Sequence, residues 1–453
     1  MRLGWSYNEA NRNPSSLTPR TRCWYVDVSL SHEGLSPDRS SAVSNRVAVT
    51  KVNDGNVEAA VREAVRLAGG FDDRITTRSR VLIKPNQGRP MPRHSGAVTD
   101  GDVVEAVARL VLERNPASVV IGDGAIAGWD LPGFSTQEAF DSSGVTAAAR
   151  RLGVELRNLN ADRSEGVPVP NALVMDRVRI ARTALDSDVI ISVPVLKAAV
   201  RTYVSLSLKN MKGVMPGAEK RKSHRLGLDK AIVDLCSVVR PGYAIIDATV
   251  GSEGMGQYPD DSKEMGLIVA GSDAVYVDVI GAVLMGVDPS RVMHLQYMAA
   301  REGKRAALDA VEVVGEPLEA HRQVFTTGFE VFQSRFPEVT IVRGESACSG
   351  CTNELVSALS FVKKAGYGER MRGLTVVIGD AADVGATGKV ATLGKCAADY
   401  PRASAYVGGC PPKEGEMVRV LAEACGADPD VVMATMEGAR KTVWDASDRL
   451  MDK

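Results

Sequence analysis

Four of the seven cysteines stand in settings that suit ligation. Cys348 and Cys351 form a C-x-x-C pair, Cys396 follows in Leu393-Gly394-Lys395-Cys396-Ala397, and Cys410 sits in Gly408-Gly409-Cys410-Pro411-Pro412. Thiolates on loops at one end of a sheet can converge on one soft-metal centre. Ser349, Gly350, Gly394, Gly408 and Gly409 leave room for a cuboidal cluster and free backbone N–H groups to bond its sulfurs. An iron–sulfur centre is the first reading, with zinc and simple burial as the alternatives. Structural zinc usually draws on two close ligand pairs, and here there is one. Core cysteines belong on apolar helix faces. Cys236 within Ala231–Val239 and Cys425 at the end of a second apolar helix fit that description, while Cys23 lies in the N-terminal stretch. These three are read as non-ligands.

A second set of residues is basic. Lys84 and Lys197 each end a predicted strand, where open α/β sheets gather ligands. Lys209, Asn210 and Lys212 precede a glycine and then His224, so cations, an amide and an imidazole could surround a phosphate or carboxylate. Any one lysine at a strand end is usually a solvated surface charge. The apolar, glycine-rich embedding sequences favour a ligand site for the set. Asp123 and Asp247, read at strand ends, are candidates for holding a cation or a ribose hydroxyl, whereas Asp273 reads as a helix N-cap. His224, Lys197 and Lys209 are the candidates for chemistry, with His224 as the proton donor of the set near neutral pH. Lys84, Asn86, Asn210, Lys212, Asp123 and Asp247 are the candidates for holding a substrate or cofactor. Gly251–Gly256 contains Gly-x-x-Gly-x-Gly, which is not the spaced dinucleotide fingerprint.

The elements that must position these residues alternate. From Arg46 onward, apolar runs at Arg46–Val52, Arg80–Lys84, Ser118–Gly122, Asp188–Val193, Tyr243–Asp247, Gly266–Ala270 and Val311–Val314 are separated by helix-period segments such as Val57–Ala68. That is the pattern of an α/β fold with a mostly parallel sheet. A polar and aromatic connector follows over 315–336, and the pattern restarts as a smaller flavodoxin-like α/β unit over 337–430, with a C-terminal helix or tail over 431–453. Residues 1–45 mix Ser, Pro, Arg and Asn without a sustained apolar run and read as a disordered extension without a secretory signal. With 453 residues, 44% hydrophobic, 25% charged and a net charge of −1, the chain has no charge excess that points to nucleic acid. Its apolar runs stop short of the roughly 20 residues of a membrane span. The cytoplasm is therefore the expected compartment, where thiols stay reduced.

Two resemblances sharpen these readings. Cys348-Ser349-Gly350-Cys351, Gly394–Ala397 and Tyr406-Val407-Gly408-Gly409-Cys410-Pro411-Pro412 resemble the proximal-cluster motifs of nickel–iron hydrogenase small subunits, and the later motifs are similar to those of a respiratory complex I subunit. The resemblance implies that Cys348, Cys351, Cys396 and Cys410 bind a [4Fe–4S] cluster. It does not imply hydrogenase activity, since the spacing before the third cysteine is shorter here and no nickel-binding partner sequence is present. Residues 46–314 resemble the domain of unknown function 362 family through Lys84-Pro85-Asn86, Gly122-Asp123, Pro194–Lys197, Ser207–Gly213, His224, Ile246–Ala248 and Gly271–Asp278. Many members have Lys-Thr-His where this chain has Lys197-Ala198-Ala199, and often a Gly-Pro pair where it has Gly256-Gln257-Tyr258-Pro259.

Together these readings describe an iron–sulfur redox protein that passes electrons between a [4Fe–4S] cluster and a small anionic substrate or cofactor, with a separate redox partner protein as a further expectation. The alternative is a non-redox anion- or nucleotide-binding enzyme or scaffold with a structural or sensing metal centre.

Overall fold

In the computed structural model, residues 44–71, 74–125, 135–256, 261–344, 346–386 and 388–439 are described. The extension read over 1–45 falls almost wholly outside them, as do Cys23, Gln257–Pro259 and the end of the tail from 440.

The Val- and Ile-rich runs pair as strands. They are β1 (Arg46–Lys51), β2 (Arg80–Pro85), β3 (Ser118–Asp123), β4 (Glu155–Asn158), β7 (Val189–Val193), β8 (Val195–Ala199), β9 (Tyr203–Val204), β10 (Tyr243–Ser252), β11 (Ser262–Gly271) and β12 (Glu312–Gly315), with β5 (Ser164–Pro168) and β6 (Arg177–Ala181) forming a separate antiparallel ribbon. The large sheet runs β12-β1-β11-β10-β7-β2-β3-β4, with β8 beside β10 and β9 beside β8. Neighbours from β10 through β7, β2 and β3 to β4 are parallel, as the alternation requires. Strand β11 is antiparallel to both β1 and β10. The connection from Ser252 to Ser262 is too short for a parallel crossover.

Helices cover both faces of this sheet, and one apolar cluster lies on each side. Val57–Leu67 buries Ala60, Val61, Ala64 and Val65, the stripe expected from 3.6-residue periodicity, and Asn56 caps it by accepting the Ala59 N–H at 3.0 Å. Asp273 caps Ala274–Leu284 through the Val275 N–H at 2.9 Å, so it has the capping role read from its position.

The second, parallel sheet is β13 (Val339–Arg343), β14 (Leu374–Ile378), β15 (Val390–Leu393) and β16 (Ala405–Val407), in that order. The connector packs rather than hangs. Phe325 is buried in the core of the large sheet, while Phe332 and Phe336 stack at 5.1 Å in the core of the small one. Both sheets belong to one compact unit. Among the described residues no helix is long and apolar enough to cross a membrane.

Candidate functional site

Three strand registers determine what the basic residues can do. Lys84 near the end of β2 and Asp123 at the end of β3 meet at 2.6 Å, and both are almost wholly buried. The Lys84 ammonium also donates to Asn210 Oδ1 at 3.0 Å and to the Pro85 carbonyl at 2.8 Å. An ammonium has three protons, so these bonds exhaust it. Asn210 returns its amide to the Lys84 carbonyl and Ser192 Oγ, and Asp123 accepts the backbone N–H groups of Gln87 and Gly124. Lys84, Asp123 and Asn210 therefore form a closed buried network that holds the Ser207–Asn210 helix against the sheet. They are not free to grip a ligand.

Gly213 is what lets the pair close. A Cβ there would lie 1.8 Å from Asp123 Oδ1 and 2.5 Å from Lys84 Nζ. Gly213→Ala is expected to destabilise the protein by about 3 kcal/mol or more, because it wedges apart a buried ion pair. A midpoint in urea unchanged from wild type would refute that.

Asp247 is likewise committed. It accepts the Asp100 N–H at 2.8 Å and both the hydroxyl and the N–H of Thr249, and burial pushes its carboxyl up to about 6 against those hydrogen bonds. It sits inside β10 rather than at a strand end, because the strand continues past a bulge after Ala248 to Ser252. Lys197 also departs from its expected place. It lies inside β8, which restarts the chain after Pro194, and it bonds Asn86 Oδ1 at 2.6 Å and the Ala97 carbonyl at 2.7 Å. Asn86 thus holds a lysine.

Beyond β8 the chain turns through Arg201 and Thr202, and here cations gather. Lys209 reaches Thr202 Oγ1 at 3.0 Å. Arg201 Nη1 lies 3.0 Å from His224 Nδ1, and Lys212 Nζ lies 2.7 Å from His224 Nε2. Lys220, one helical turn before His224, is buried against the Gly124 and Ala125 carbonyls and Asn160. Arg201, Lys209, Lys212 and His224 each keep some surface. Burial, then the neighbouring Lys209, brings Lys197 down to about 7; burial, then Arg201, does the same to Lys209. Lys212 is lowered well below an ordinary lysine by burial and by Lys209, Lys220 and Arg201. The His224 imidazole is held neutral by burial and by Lys212, Arg201 and Lys209. It is therefore not the neutral-pH titrating group expected from its type alone. Arg201 and Lys220 escaped the sequence reading, although Lys220 and His224 share the four-residue spacing of one helix face.

The cysteines come together through three loops. Cys351 lies in the first turn of the helix Ser349–Val362. A Cβ on Gly394 would lie 2.7 Å from Cys351 Sγ, which brings the Cys396 turn against that helix. Lys395 N–H bonds the Gly409 carbonyl at 3.0 Å, tying the Cys396 and Cys410 loops together, and Gly350 abuts Pro411. Burial pushes the Cys351 thiol up, and Cys348, Cys396 and Cys410 push it the same way. The six described cysteines are free thiols. Cys236 and Cys425 are buried on helices, away from these loops. Among the described residues no three His, Cys, Asp or Glu side chains are gathered closely enough for a single metal ion.

Cys348, Gly350, Cys410 and Pro411 share a small cleft with Leu226, Gly227, Asp229 and Lys230, at the end of the helix that carries His224. Lys230 Nζ lies 3.8 Å from Cys410 Sγ. Asp229 accepts the Ser349 N–H at 2.8 Å, while Ser349 Oγ accepts the Asp229 N–H at 3.0 Å. Each of two helices is thus capped by a side chain of the other. Despite burial, hydrogen bonds from His294 and Ser349 hold the Asp229 carboxyl below its ordinary value.

Residues 81–283 match the domain of unknown function family DUF362. The DUF362 region carries Lys84, Lys197, Lys209, Lys212 and His224, whereas the four clustered cysteines lie beyond it. The chain is 25% identical over 256 residues to the thylakoid-associated protein sll1697 of Synechocystis, spanning 55% of this chain and 75% of that protein. Lactate racemase apoprotein from Thermoanaerobacterium thermosaccharolyticum aligns at a TM-score of 0.35 and 11% identity, covering 74% of this chain and 69% of that one.

Proposed function

We propose that the protein is an iron–sulfur redox protein in which Cys348, Cys351, Cys396 and Cys410 hold a [4Fe–4S] cluster beside an anion-binding cleft of the DUF362 region. The observation that carries this reading is the meeting of three cysteine loops, two of them, those of Cys348 and Cys410, against the end of the helix bearing His224. Glycines at 350 and 394 keep side chains off the Cys348 and Cys351 sulfurs. A cluster there supplies a one-electron centre whose potential is set by hydrogen bonds to sulfur and by exposure. The chain's own residues do the rest. Lys209 and Arg201 bind and orient an anion, His224 holds and hands on a proton, and Lys230 places positive charge beside Cys410. Cys410 is exposed, which suits electron exchange with a separate redox partner protein.

Anaerobically purified protein is expected to contain iron and sulfide, absorb in the visible and give an EPR signal on reduction. Cys410→Ala should lose these features, and Cys236→Ala should keep them. Stoichiometric zinc without iron in the wild type would overturn the assignment.

A further inference from the structure

The contacts of His224 determine where its protons are. Arg201 has donors and no acceptor, so the His224 Nδ1 that faces its Nη1 at 3.0 Å must be the acceptor. A neutral imidazole then carries its hydrogen on Nε2. That hydrogen points at Lys212 Nζ, 2.7 Å away, and an ammonium could not receive it. Two donors cannot face each other at that distance, so Lys212 is the partner that gives way, and it does so by being an uncharged amine. Its surroundings agree, since Lys209, Lys220 and Arg201 all disfavour a further positive charge there.

We infer that Lys212 is a free amine nucleophile that condenses with a small anionic carbonyl compound, such as a 2-oxo acid or a phosphorylated aldehyde, drawn into the cleft by Arg201 and Lys209. The inference deepens the anion-cleft part of the reading above and is independent of the cluster. In the step, the Nζ lone pair leaves its hydrogen bond with the His224 Nε2–H, which turns to the incoming carbonyl oxygen, and forms the new C–N bond as the carbonyl π bond breaks. His224 Nε2 gives its hydrogen to the carbonyl oxygen and recovers one from nitrogen. The oxygen then leaves as water with the two protons that began on the amine, and an imine to Lys212 remains. No oxidant or reductant takes part. A desolvated lysine next to other cations is a recognised way of activating an amine for imine chemistry. The partial exposure of Lys212 and His224 gives small reagents access.

Two probes on the full chain test this, read by peptide mass mapping. Acetic anhydride reports the amine state without needing the anion cleft, and glyoxylate with cyanoborohydride traps an imine by reducing it. Lys413, whose side chain is 85% exposed, is the internal reference. At pH 7 Lys212 should react with both probes at least about tenfold faster than Lys413, because an ordinary lysine there is almost wholly protonated. Between pH 7 and 9 its rate should stay nearly flat, while that of Lys413 climbs about tenfold per unit. His224→Gln offers Lys212 a carbonyl acceptor, which restores the ammonium and should suppress labelling at pH 7. Equal labelling of Lys212 and Lys413 by the anhydride in folded protein would overturn the free amine. Anhydride labelling without a glyoxylate adduct would overturn the carbonyl assignment. Sulfate binding, followed in parallel by calorimetry, separates either failure from a failure of the cleft itself.

Discussion

Asp123→Ala is expected to cost about 3–5 kcal/mol, because it leaves the Lys84 ammonium buried without its counter-charge. That is a fifth or more of the stability of a typical domain, roughly 5–15 kcal/mol. The loss has two parts. The ammonium keeps Asn210 and the Pro85 carbonyl but loses the 2.6 Å carboxylate contact, and burial already presses its pKa downward. The Gln87 and Gly124 N–H groups lose their acceptor as well, at about 1–3 kcal/mol for each that stays dry. Lys84→Met should be milder, since the carboxylate retains both N–H donors. The double replacement Lys84→Met with Asp123→Leu should recover part of the loss by removing both charges. Urea denaturation of the three variants checks the order. If Asp123→Ala lost less than about 1 kcal/mol, the pair would be no more than a surface bridge in effect.

Binding of an inorganic anion should weaken steeply as pH rises through 7. Lys197 and Lys209 both stand at about 7, Lys197 lowered by burial and then by Lys209, and Lys209 lowered by burial and then by Arg201. An anion favours their charged forms and raises those values, so binding takes up protons. Affinity for sulfate, which does not titrate here, should be highest below pH 7. Above it, affinity should fall by up to about tenfold per pH unit for each lysine that must be recharged, or about a hundredfold for both. Calorimetry in two buffers of different ionisation enthalpy would count the protons directly. A flat affinity from pH 6.5 to 8.5 would mean these lysines do not bind the anion. In the unliganded protein the same groups act on folding with a defined sign. Their folded values lie below the unfolded 10.5, so between about 7 and 10.5 the unfolded chain binds more protons, and their contribution to stability grows with pH.

Much of the scaffold was legible because it rests on local rules. The seven runs chosen as strands in the large sheet are strands, since continuous β-branched stretches between helix-period segments have few other places to go. The reading missed β8 and β9, where a single proline splits what looks like one apolar run and puts Lys197 mid-strand. It also missed β4, β5 and β6, short strands of four or five residues. The mixed α/β class and the mostly parallel sheet stand. Site chemistry was legible in residue type and illegible in pairing. That Lys84 spends its charge on Asp123 depends on β2 lying beside β3 and on Gly213 passing close to both, which no spacing in the chain announces. The neutrality of His224 follows from its burial beside Arg201 and Lys209, a matter of three dimensions alone.

The mutual capping of Asp229 and Ser349 bears on portability. The cysteine-bearing helix begins on a carboxylate that the ribosome makes about 120 residues earlier. Its first turn is complete only with Asp229 in place beside it. Cut out on its own, the stretch 337–430 would leave Ser349 facing water where Asp229 had been, and grafted onto another protein it would need that carboxylate supplied anew. The cysteine loops are better regarded as a wall of the larger domain than as a detachable cartridge.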